Sequence, residues 1–144
     1  MIKILFVCHG NICRSAMAEC MAKDFAAKNN VSELFYFDSA ATSKEEIGNR
    51  IYPPAREKLK DMNIAVCDHK ARQITKQDIK EFDYIYYMDD KNKRNIIRLF
   101  GFLPDNTRPL LENKDIADPW YTGNFEQTYN DIKRGLENMF ENLR

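Results

Sequence analysis

Short apolar runs alternate with longer amphipathic stretches along the chain, and this alternation predicts strands and helices in turn. The run Ile2–Val7 is almost entirely apolar and contains β-branched residues, which is typical of a strand buried on both faces of a sheet. Three later runs share this strand character. The four predicted strands are Ile2–Val7, Leu34–Ser39, Asp83–Met88 and Arg108–Leu111.

The stretches between the strands carry apolar residues at helical spacing. In the last one, Phe125, Tyr129, Ile132, Leu136, Met139 and Leu143 follow at intervals of 4, 3, 4, 3 and 4 residues, which indicates a single apolar face. Pro53 suits a first helical turn, Thr75 an N-cap and Gly101 a helix end. The predicted helices are Ser15–Lys28, Pro53 to about Met62, Lys76–Glu81, Asp89 or Asp90 to Phe100, and about Asn124 to Asn142.

The order of these elements predicts an α/β fold. We expect one domain over residues 1–144, with a four-stranded parallel sheet, right-handed crossovers and helices on both faces. In such sheets, ligands bind beyond the carboxyl ends of the strands. Cys8 directly follows the first predicted strand, so this position is the first place to look for chemistry.

Composition and charge narrow the classes of partner. Among the 144 residues, 22 lysines and arginines balance 22 aspartates and glutamates, and the formal net charge is zero. Because no basic stripe alternates with aromatic residues, we expect no nucleic-acid partner. The apolar run at the N-terminus is too short for a signal h-region or a membrane span, so we expect a cytoplasmic protein with no membrane partner.

The four cysteines favour thiol chemistry over a scaffold of disulfides. In a chain without a signal segment we expect all four to be thiols, with Cys20 and Cys67 as small core or loop residues. No second pair of cysteines or histidines follows at zinc spacing, and His9 and His69 are isolated from each other in the sequence. We therefore expect neither a metal nor another cofactor.

The segment from Cys8 to Arg14 is the clearest candidate for chemistry. A cysteine, five residues and an arginine between a strand and a helix can hold an oxyanion against a thiolate. The loop N–H groups and the helix N-terminus supply donors, and the guanidinium fits two phosphate oxygens at once. This positive field favours the nucleophilic thiolate of Cys8. Gly10 allows the backbone to approach the phosphate without a Cβ in the way.

A cysteine that takes a phosphoryl group also needs a proton for the leaving oxygen. Asp118 is the best candidate acid, because Pro119 stiffens its loop and Trp120 and Tyr121 could shield its carboxyl group from water. An ordinary Asp-Pro turn beside two partly buried aromatic residues explains the same pattern equally well.

Taken together, Val7–Ser15 and Asp118-Pro119-Trp120-Tyr121 resemble the low-molecular-weight protein tyrosine phosphatases. The resemblance spans essentially the whole chain and keeps both motifs in the family's order. Four more blocks support it: Asp38–Ser43, Ile47–Asn49, Ala71–Ile74 and Phe82–Ile85.

The resemblance implies a phosphotyrosine phosphatase that acts through a phosphocysteine without a metal. Cys8 would attack phosphorus, Arg14 would bind the equatorial oxygens, and Asp118 would serve as general acid and then general base. Ser15 would hydrogen-bond the thiolate and help it to leave. The residues expected to contact phosphate or substrate are His9, Gly10, Asn11, Ile12, Cys13, Ser15, Glu45, Trp120 and Tyr121.

The resemblance also implies support behind the loop. Asn11 would adopt a left-handed conformation, which asparagine tolerates well, and Ser15, Ser39 and His69 would hold its side chain. Cys13 would form a reversible disulfide with Cys8 and protect it from over-oxidation. The alternative for Cys13 is simple packing beneath the loop.

Two positions bear on the substrate. Many relatives carry an aromatic residue where this chain has Glu45, so the slot for the phosphotyrosine ring would be more open and acidic here, unless Glu45 is simply solvated. Trp120 and Tyr121 would then be the main surfaces that stack on the ring. Relatives that act on phosphoarginine carry threonine where this chain has Ile12, and the apolar side chain favours an aromatic ring.

Three other functions fit parts of the pattern: a phosphoarginine phosphatase, an arsenate reductase and a catalytically silent phosphate-binding module. Arsenate reduction needs further cysteines after the third strand, and Met88–Phe100 contains none. A silent module would have lost Cys8, Arg14 or Asp118. We therefore expect tyrosine-phosphorylated proteins as partners and a monomer or weak dimer.

Overall fold

Four parallel strands form the sheet in the computed structural model, which describes residues 1–143. They run in the order β2-β1-β3-β4, with β1 at Ile2–Cys8, β2 at Phe35–Ala41, β3 at Tyr84–Tyr87 and β4 at Thr107–Pro109. The central strand β1 pairs with both β2 and β3, which places Cys8 opposite Ala41. The predicted four-stranded parallel sheet is confirmed.

Six helices surround this sheet, and a short 3₁₀ turn at Ser32–Leu34 precedes β2. Thr75 and Asp89 begin their helices with capping boxes, and Gly101 ends one in a left-handed conformation, as the sequence predicted. The helices are α1 at Arg14–Lys28, α2 at Pro53–Asp61, α3 at Lys76–Glu81, α4 at Asp90–Phe100, α5 at Pro119–Thr122 and α6 at Phe125–Asn142.

The core lies on both faces of the sheet, as the apolar run at Ile2–Val7 predicted. Ile4 and Phe6 point into the larger cluster with residues of α1, α2 and α6, whereas Leu5 and Val7 point into a smaller cluster with residues of α3 and α4. All four side chains are fully buried. None of the helices within residues 1–143 is long and apolar enough to cross a membrane.

All four strands differ by one or two residues from their predicted bounds, and one helix is new. Strand β4 is short and ends at Pro109, because proline cannot donate to a ladder and is tolerated on this edge strand. The one-turn helix α5 was not predicted. Asp118 caps it and Pro119 occupies its first turn, so the local Asp-Pro sequence folds as a helix start.

The expectation of four thiols is wrong for Cys20 and Cys67, which form a disulfide between α1 and the loop that follows α2. They are separated by 47 positions, and the fold brings their Cα atoms to 5.4 Å. A pairing of this kind depends on tertiary packing and cannot be read from spacing in the sequence. Cys8 and Cys13 are free and buried.

Candidate active site

The sulfur of Cys8 lies at the carboxyl end of β1, surrounded by hydrogen-bond donors. The backbone N–H groups of Asn11 and Ser15 donate to Sγ at 3.3 and 3.4 Å, and the Ser15 hydroxyl lies 3.0 Å away. Because Ser15 Oγ accepts from Asn11 Nδ2 at 2.7 Å, its own proton is available to the sulfur. These three hydrogen-bond donors stabilise a thiolate more strongly than they stabilise a neutral thiol.

The loop from Cys8 to Arg14 turns its backbone toward an anion-sized space. The carbonyl groups of His9 and Ile12 accept from Ser43 and Tyr52 on neighbouring segments, which holds the loop from outside. Among the described residues, no acceptor is found for the N–H groups of Ile12, Cys13 and Arg14. These donors at the start of α1, a helix of 15 residues, form a site suited to an oxyanion.

Arg14 is almost fully buried and joins the loop to the opposite wall. Its Nη1 donates to Asp89 at 2.6 Å and to the Ile116 carbonyl at 2.8 Å, and its Nη2 donates to Asp118 at 3.4 Å. Burial lowers the pKa of Arg14, but the charges of Cys8, Asp89 and Asp118 outweigh burial and raise it. Nε is buried without a protein partner, so the guanidinium keeps a donor for a ligand.

Asp118 faces Arg14 across the pocket. Its Oδ1 accepts from the Trp120 N–H at 3.0 Å, and this cap orients Oδ2 toward the guanidinium. The Asp118 side chain is 23% exposed, so its carboxyl group is only partly shielded from solvent. Trp120 and Tyr121 line the same pocket and are 52% and 78% exposed. Trp120 packs against Tyr52, with ring centroids 4.7 Å apart.

Asn11 is fully buried and braces the loop. It has a φ of 61°, the left-handed conformation that the resemblance implied. Its Nδ2 donates to Ser15 and Ser39 at 2.7 and 2.9 Å, and its Oδ1 lies 2.8 Å from His69 Nε2 and 3.2 Å from the Arg72 N–H. Both ends of the amide thus have two partners, so its orientation is tightly determined.

Glu19 forms the next layer behind Asn11. Its Oε1 accepts from Ser39 Oγ at 2.6 Å and lies 3.3 Å from His69 Nδ1, while Oε2 accepts from Lys23. Burial alone would raise the pKa of Glu19, but hydrogen bonds from His69, Lys23 and Ser39 lower it below its ordinary value. Sequence reasoning missed this residue, although it lies one helical turn after Ser15 on the same face of α1.

Three other residues of the site were missed by sequence reasoning. Asp89, expected only as a helix cap, also accepts from Arg14. Arg72 holds Asn11 through its backbone, while its guanidinium is anchored by Asp38 and Asp78. Glu46 lines the pocket beside Glu45. No local pattern in the sequence marks these contacts, because each joins residues from separate elements.

Two other residues of the loop, Cys13 and Ile12, differ from Cys8 in chemical character. Burial and the adjacent charge of Cys8 raise the pKa of Cys13 far above its ordinary value, so this thiol stays protonated at neutral pH. Ile12 is 8% exposed and presents an apolar surface to the pocket.

The rim of the pocket on the opposite side is charged. His9 Nε2 and Glu45 Oε2 lie 3.0 Å apart, with side-chain exposures of 31% and 69%. The whole pocket has a volume of about 120 Å³. The lining residues are Cys8, His9, Gly10, Asn11, Ile12, Cys13, Arg14, Glu45, Glu46, Asp118, Trp120 and Tyr121.

One cluster contains possible metal ligands. Ligand atoms of Glu19, Asp38 and His69 lie within 4.8 Å of one another. Glu19 already binds Lys23, and Asp38 binds Arg72, so a metal ion would have to compete with both cations. We make no metal assignment there.

Comparison with known proteins places this geometry in context. Residues 3–144 match the model of the family described as low molecular weight phosphotyrosine protein phosphatase. A low molecular weight protein-tyrosine-phosphatase of Bacillus subtilis, YfkJ, is 39% identical over 153 residues, which cover 100% of this chain and 97% of that protein. The match between this structure and the crystal structure of YfkJ has a TM-score of 0.94 and covers 99% of this chain and 94% of the YfkJ chain.

Two further similarities are to proteins named for different phosphatase activities. The low molecular weight phosphotyrosine protein phosphatase of Sus scrofa is 38% identical over 152 residues, with 98% of this chain and 95% of that protein covered. The crystal structure of a Drosophila arginine phosphatase has a TM-score of 0.89 at 29% identity and covers 99% of this chain and 98% of that chain.

Proposed function

The chain belongs to the low molecular weight phosphotyrosine protein phosphatase family, a family of hydrolases, and from that premise we propose a mechanism for its site. We propose that it hydrolyses phosphotyrosine monoesters through a phosphocysteine on Cys8. The observation that carries this proposal is the convergence on one pocket of a sulfur with three donors, a buried guanidinium and a carboxyl group.

In the first step, the Cys8 thiolate attacks phosphorus and the bond to the phenolic oxygen breaks. Asp118 donates its proton to that oxygen, so tyrosine leaves as a neutral phenol. Charge on the three equatorial oxygens is stabilised by Arg14 and by the loop N–H groups, which are already oriented for it.

In the second step, water attacks the phosphocysteine. Asp118, now ionised, accepts the proton of that water, and the sulfur–phosphorus bond breaks to give inorganic phosphate. The thiolate leaves readily because Ser15 and two backbone N–H groups donate to it. The cycle returns Cys8 and Asp118 to their starting states without a metal or another cofactor.

The shape of the pocket supports an aromatic ester as substrate. Ile12 offers an apolar wall, and the exposed rings of Trp120 and Tyr121 stand where a phenyl ring would pass. A phosphoarginine would place a guanidinium against Ile12, which has no acceptor to offer. The proposed partners are therefore tyrosine-phosphorylated proteins. The cytoplasmic location and the monomeric or weakly dimeric state stay predictions.

Hydrolysis of para-nitrophenyl phosphate tests the mechanism. We expect activity that resists a chelator, is inhibited by vanadate and is abolished by Cys8→Ser. Activity that disappears with the chelator would point to a metal site instead. With phosphotyrosine, phosphoarginine, phosphoserine and arsenate compared side by side, we expect phosphotyrosine to be preferred. Ile12→Thr should shift the preference toward phosphoarginine, and an unchanged ratio of rates would contradict the assigned role of Ile12.

We also propose that Cys13 guards Cys8 against oxidation. Peroxide would convert the Cys8 thiolate to a sulfenic acid, and the Cys13 thiol would then displace water to form a disulfide. After brief exposure to peroxide and then to a thiol reductant, the native enzyme should regain the activity of a sample given the reductant alone, whereas Cys13→Ser should lose activity permanently. Equal recovery of both proteins would reduce Cys13 to a packing role.

A further inference from the structure

The disulfide between Cys20 and Cys67 joins the two elements that support Asn11, and the proposed catalytic cycle does not use it. Cys20 follows Glu19 on α1, and Cys67 lies two positions before His69. Glu19 and His69 contact each other, and His69 also contacts the Asn11 amide. The covalent bond therefore lies one or two residues from both members of this buried pair.

The segment that precedes His69, residues 65–68, has few other attachments, whereas His69 contacts Asn11 and Glu19 and Lys70 pairs with Arg50. In residues 65–68, which lie outside any helix or strand, no backbone group bonds to another backbone group. The Cys67 N–H donates to Cys20 Sγ at 3.3 Å, so even this contact depends on the disulfide. Asp68 pairs with Arg50, but both side chains are highly exposed and such pairs contribute little. The disulfide and limited apolar packing thus hold the segment.

One cysteine of the pair is partly exposed. Cys20 is only 1% exposed, whereas Cys67 is half-buried and lines a surface hollow of about 220 Å³. Arg50 and Arg56 line the same hollow. Asp68 also lines the hollow and pairs with Arg50, so it is the charge of Arg56 that favours the approach of an anionic thiolate toward Cys67.

We propose that the Cys20–Cys67 disulfide is a redox-controlled clamp on the phosphate-binding loop, an inference that rests on the proposed function. With the bond closed, residues 65–68 hold His69 against Glu19 and Asn11. With the bond open, this segment gains freedom, the support of Asn11 weakens, and the donors around Cys8 lose their alignment. The closed form is then the more active phosphatase.

The opening reaction is a thiol–disulfide exchange with a dithiol reductant. One thiolate of the reductant attacks the sulfur of Cys67, and Cys20 leaves and takes up a proton. The second thiol of the reductant then displaces Cys67, which is also protonated. The protein gains two electrons and two protons, and the reductant becomes a disulfide. The released Cys67 thiol can donate to the Glu19 carboxylate, whose oxygen lies 3.8 Å from the Cys67 sulfur.

Steady-state kinetics on the full chain in two defined states test the clamp. Thiol labelling after unfolding should count two thiols in the closed form, Cys8 and Cys13, and four after treatment with dithiothreitol. With phosphotyrosine as substrate, we expect kcat to fall by about three- to thirtyfold on opening. The rate of alkylation of Cys8 by iodoacetate at a fixed pH should also fall, because the donors around its sulfur are less well aligned.

The matched control is the double variant Cys20→Ser/Cys67→Ser, which carries only the two active-site thiols. It should have the low kcat of the opened enzyme and should not change with dithiothreitol. If reduction changed the native enzyme and this variant alike, the effect would come from Cys8 or Cys13 and the clamp would be refuted. If opening a bond that only stabilises the fold lowered the melting temperature but left kcat and the alkylation rate of Cys8 unchanged, the clamp would also be refuted.

A variant of His69 tests the route of the effect. In His69→Ala, opening the disulfide should reduce kcat by less than twofold, because the contact through which the clamp acts is already missing. A full three- to thirtyfold loss in that background would overturn the proposed route. If the enzyme hydrolyses phosphotyrosine at the same rate before and after the disulfide is reduced, the clamp is refuted and the proposed function is not. Absence of hydrolysis in both forms would refute both.

Discussion

The floor and the rim of the pocket differ in how deeply their polar side chains are buried and how fully they are hydrogen-bonded. At the floor, Asn11 is fully buried, and both polar atoms of its side-chain amide have hydrogen-bond partners. Arg14 is 2% exposed and lies between two carboxylates. At the rim, Glu45 and Tyr121 are 69% and 78% exposed. Buried polar groups are costly unless they are satisfied, so the floor tolerates little change.

This difference assigns separate tasks to the two regions. The floor determines whether phosphoryl transfer occurs at all, because its donors must stay aligned within a fraction of an ångström. The rim contacts whatever surrounds the phosphorylated side chain, and its solvated groups can change at little cost to the fold. Substitutions at the floor should therefore affect all substrates alike, whereas substitutions at the rim should redistribute rates among substrates.

The largest effect after loss of the nucleophile is expected at Asp118. Asp118→Asn keeps the cap on Trp120 but cannot transfer a proton, so kcat on phosphotyrosine should fall by about 10²- to 10⁴-fold with little change in substrate binding. Single-turnover kinetics measure the chemical step directly. Asp115→Asn, an exposed carboxylate earlier in the same loop, is the control and should keep its activity. Equal losses in both variants would remove Asp118 from its assigned role.

A smaller loss is expected when the brace behind the loop is removed. Asn11→Gly keeps access to the left-handed conformation but removes the amide that contacts Ser39 and His69, at a cost of about 1–3 kcal/mol. If the whole of this cost raises the activation free energy of the chemical step, kcat falls by about 5- to 150-fold. The loss should be the same for para-nitrophenyl phosphate and for a phosphopeptide. Asn11→Ala adds backbone strain, and a loss confined to that variant would mean that conformation alone matters.

Glu19 gives the floor a dependence on pH. Its pKa is lowered from an ordinary 4.5 in the folded state, so its charge stabilises the fold fully above that value and progressively less as pH falls through the lowered pKa. Glu19→Gln should cost about 1–3 kcal/mol in the free energy of unfolding at neutral pH. The difference from the native protein should shrink below about pH 4. Urea unfolding across pH measures this, and a constant difference would contradict the role of the charge.

The smallest effect is expected at the rim. Glu45→Gln removes an exposed charge beside His9 and should raise kcat/KM on an acidic phosphotyrosine peptide by about two- to fivefold, with no change on para-nitrophenyl phosphate. High salt should abolish the gain. Glu33→Gln, in the 3₁₀ turn before β2, is the control for net charge. An equal gain on both substrates would show that Glu45 acts on the floor.

Much of the fold and the placement of the loop could be predicted from local sequence. The alternation within Ile2–Val7 places successive side chains in the two core clusters, and Thr75 and Gly101 mark helix ends by their own conformational preferences. Cys8 and Arg14 are close in the chain, so one strand–loop–helix unit brings them together. Predictions of this kind rest on periodicity and short-range geometry.

The remaining features depend on contacts between distant elements. Asp89 reaches Arg14 across 75 positions, and Cys20 reaches Cys67 across 47. Glu19 looks like an ordinary charged residue of a helix until the fold places Ser39 and His69 beside it. Such partnerships are set by tertiary packing, which periodicity in one sequence does not encode.

Direct detection of the phosphocysteine tests the central claim. The native enzyme is mixed with excess phosphotyrosine peptide, quenched in acid within milliseconds, digested and analysed by mass spectrometry. One phosphoryl group should appear on the peptide that contains Cys8, decay as phosphate is released, and be missing in Cys8→Ser. Turnover without any phosphorylated enzyme, or with the phosphoryl group on another residue, would contradict the mechanism.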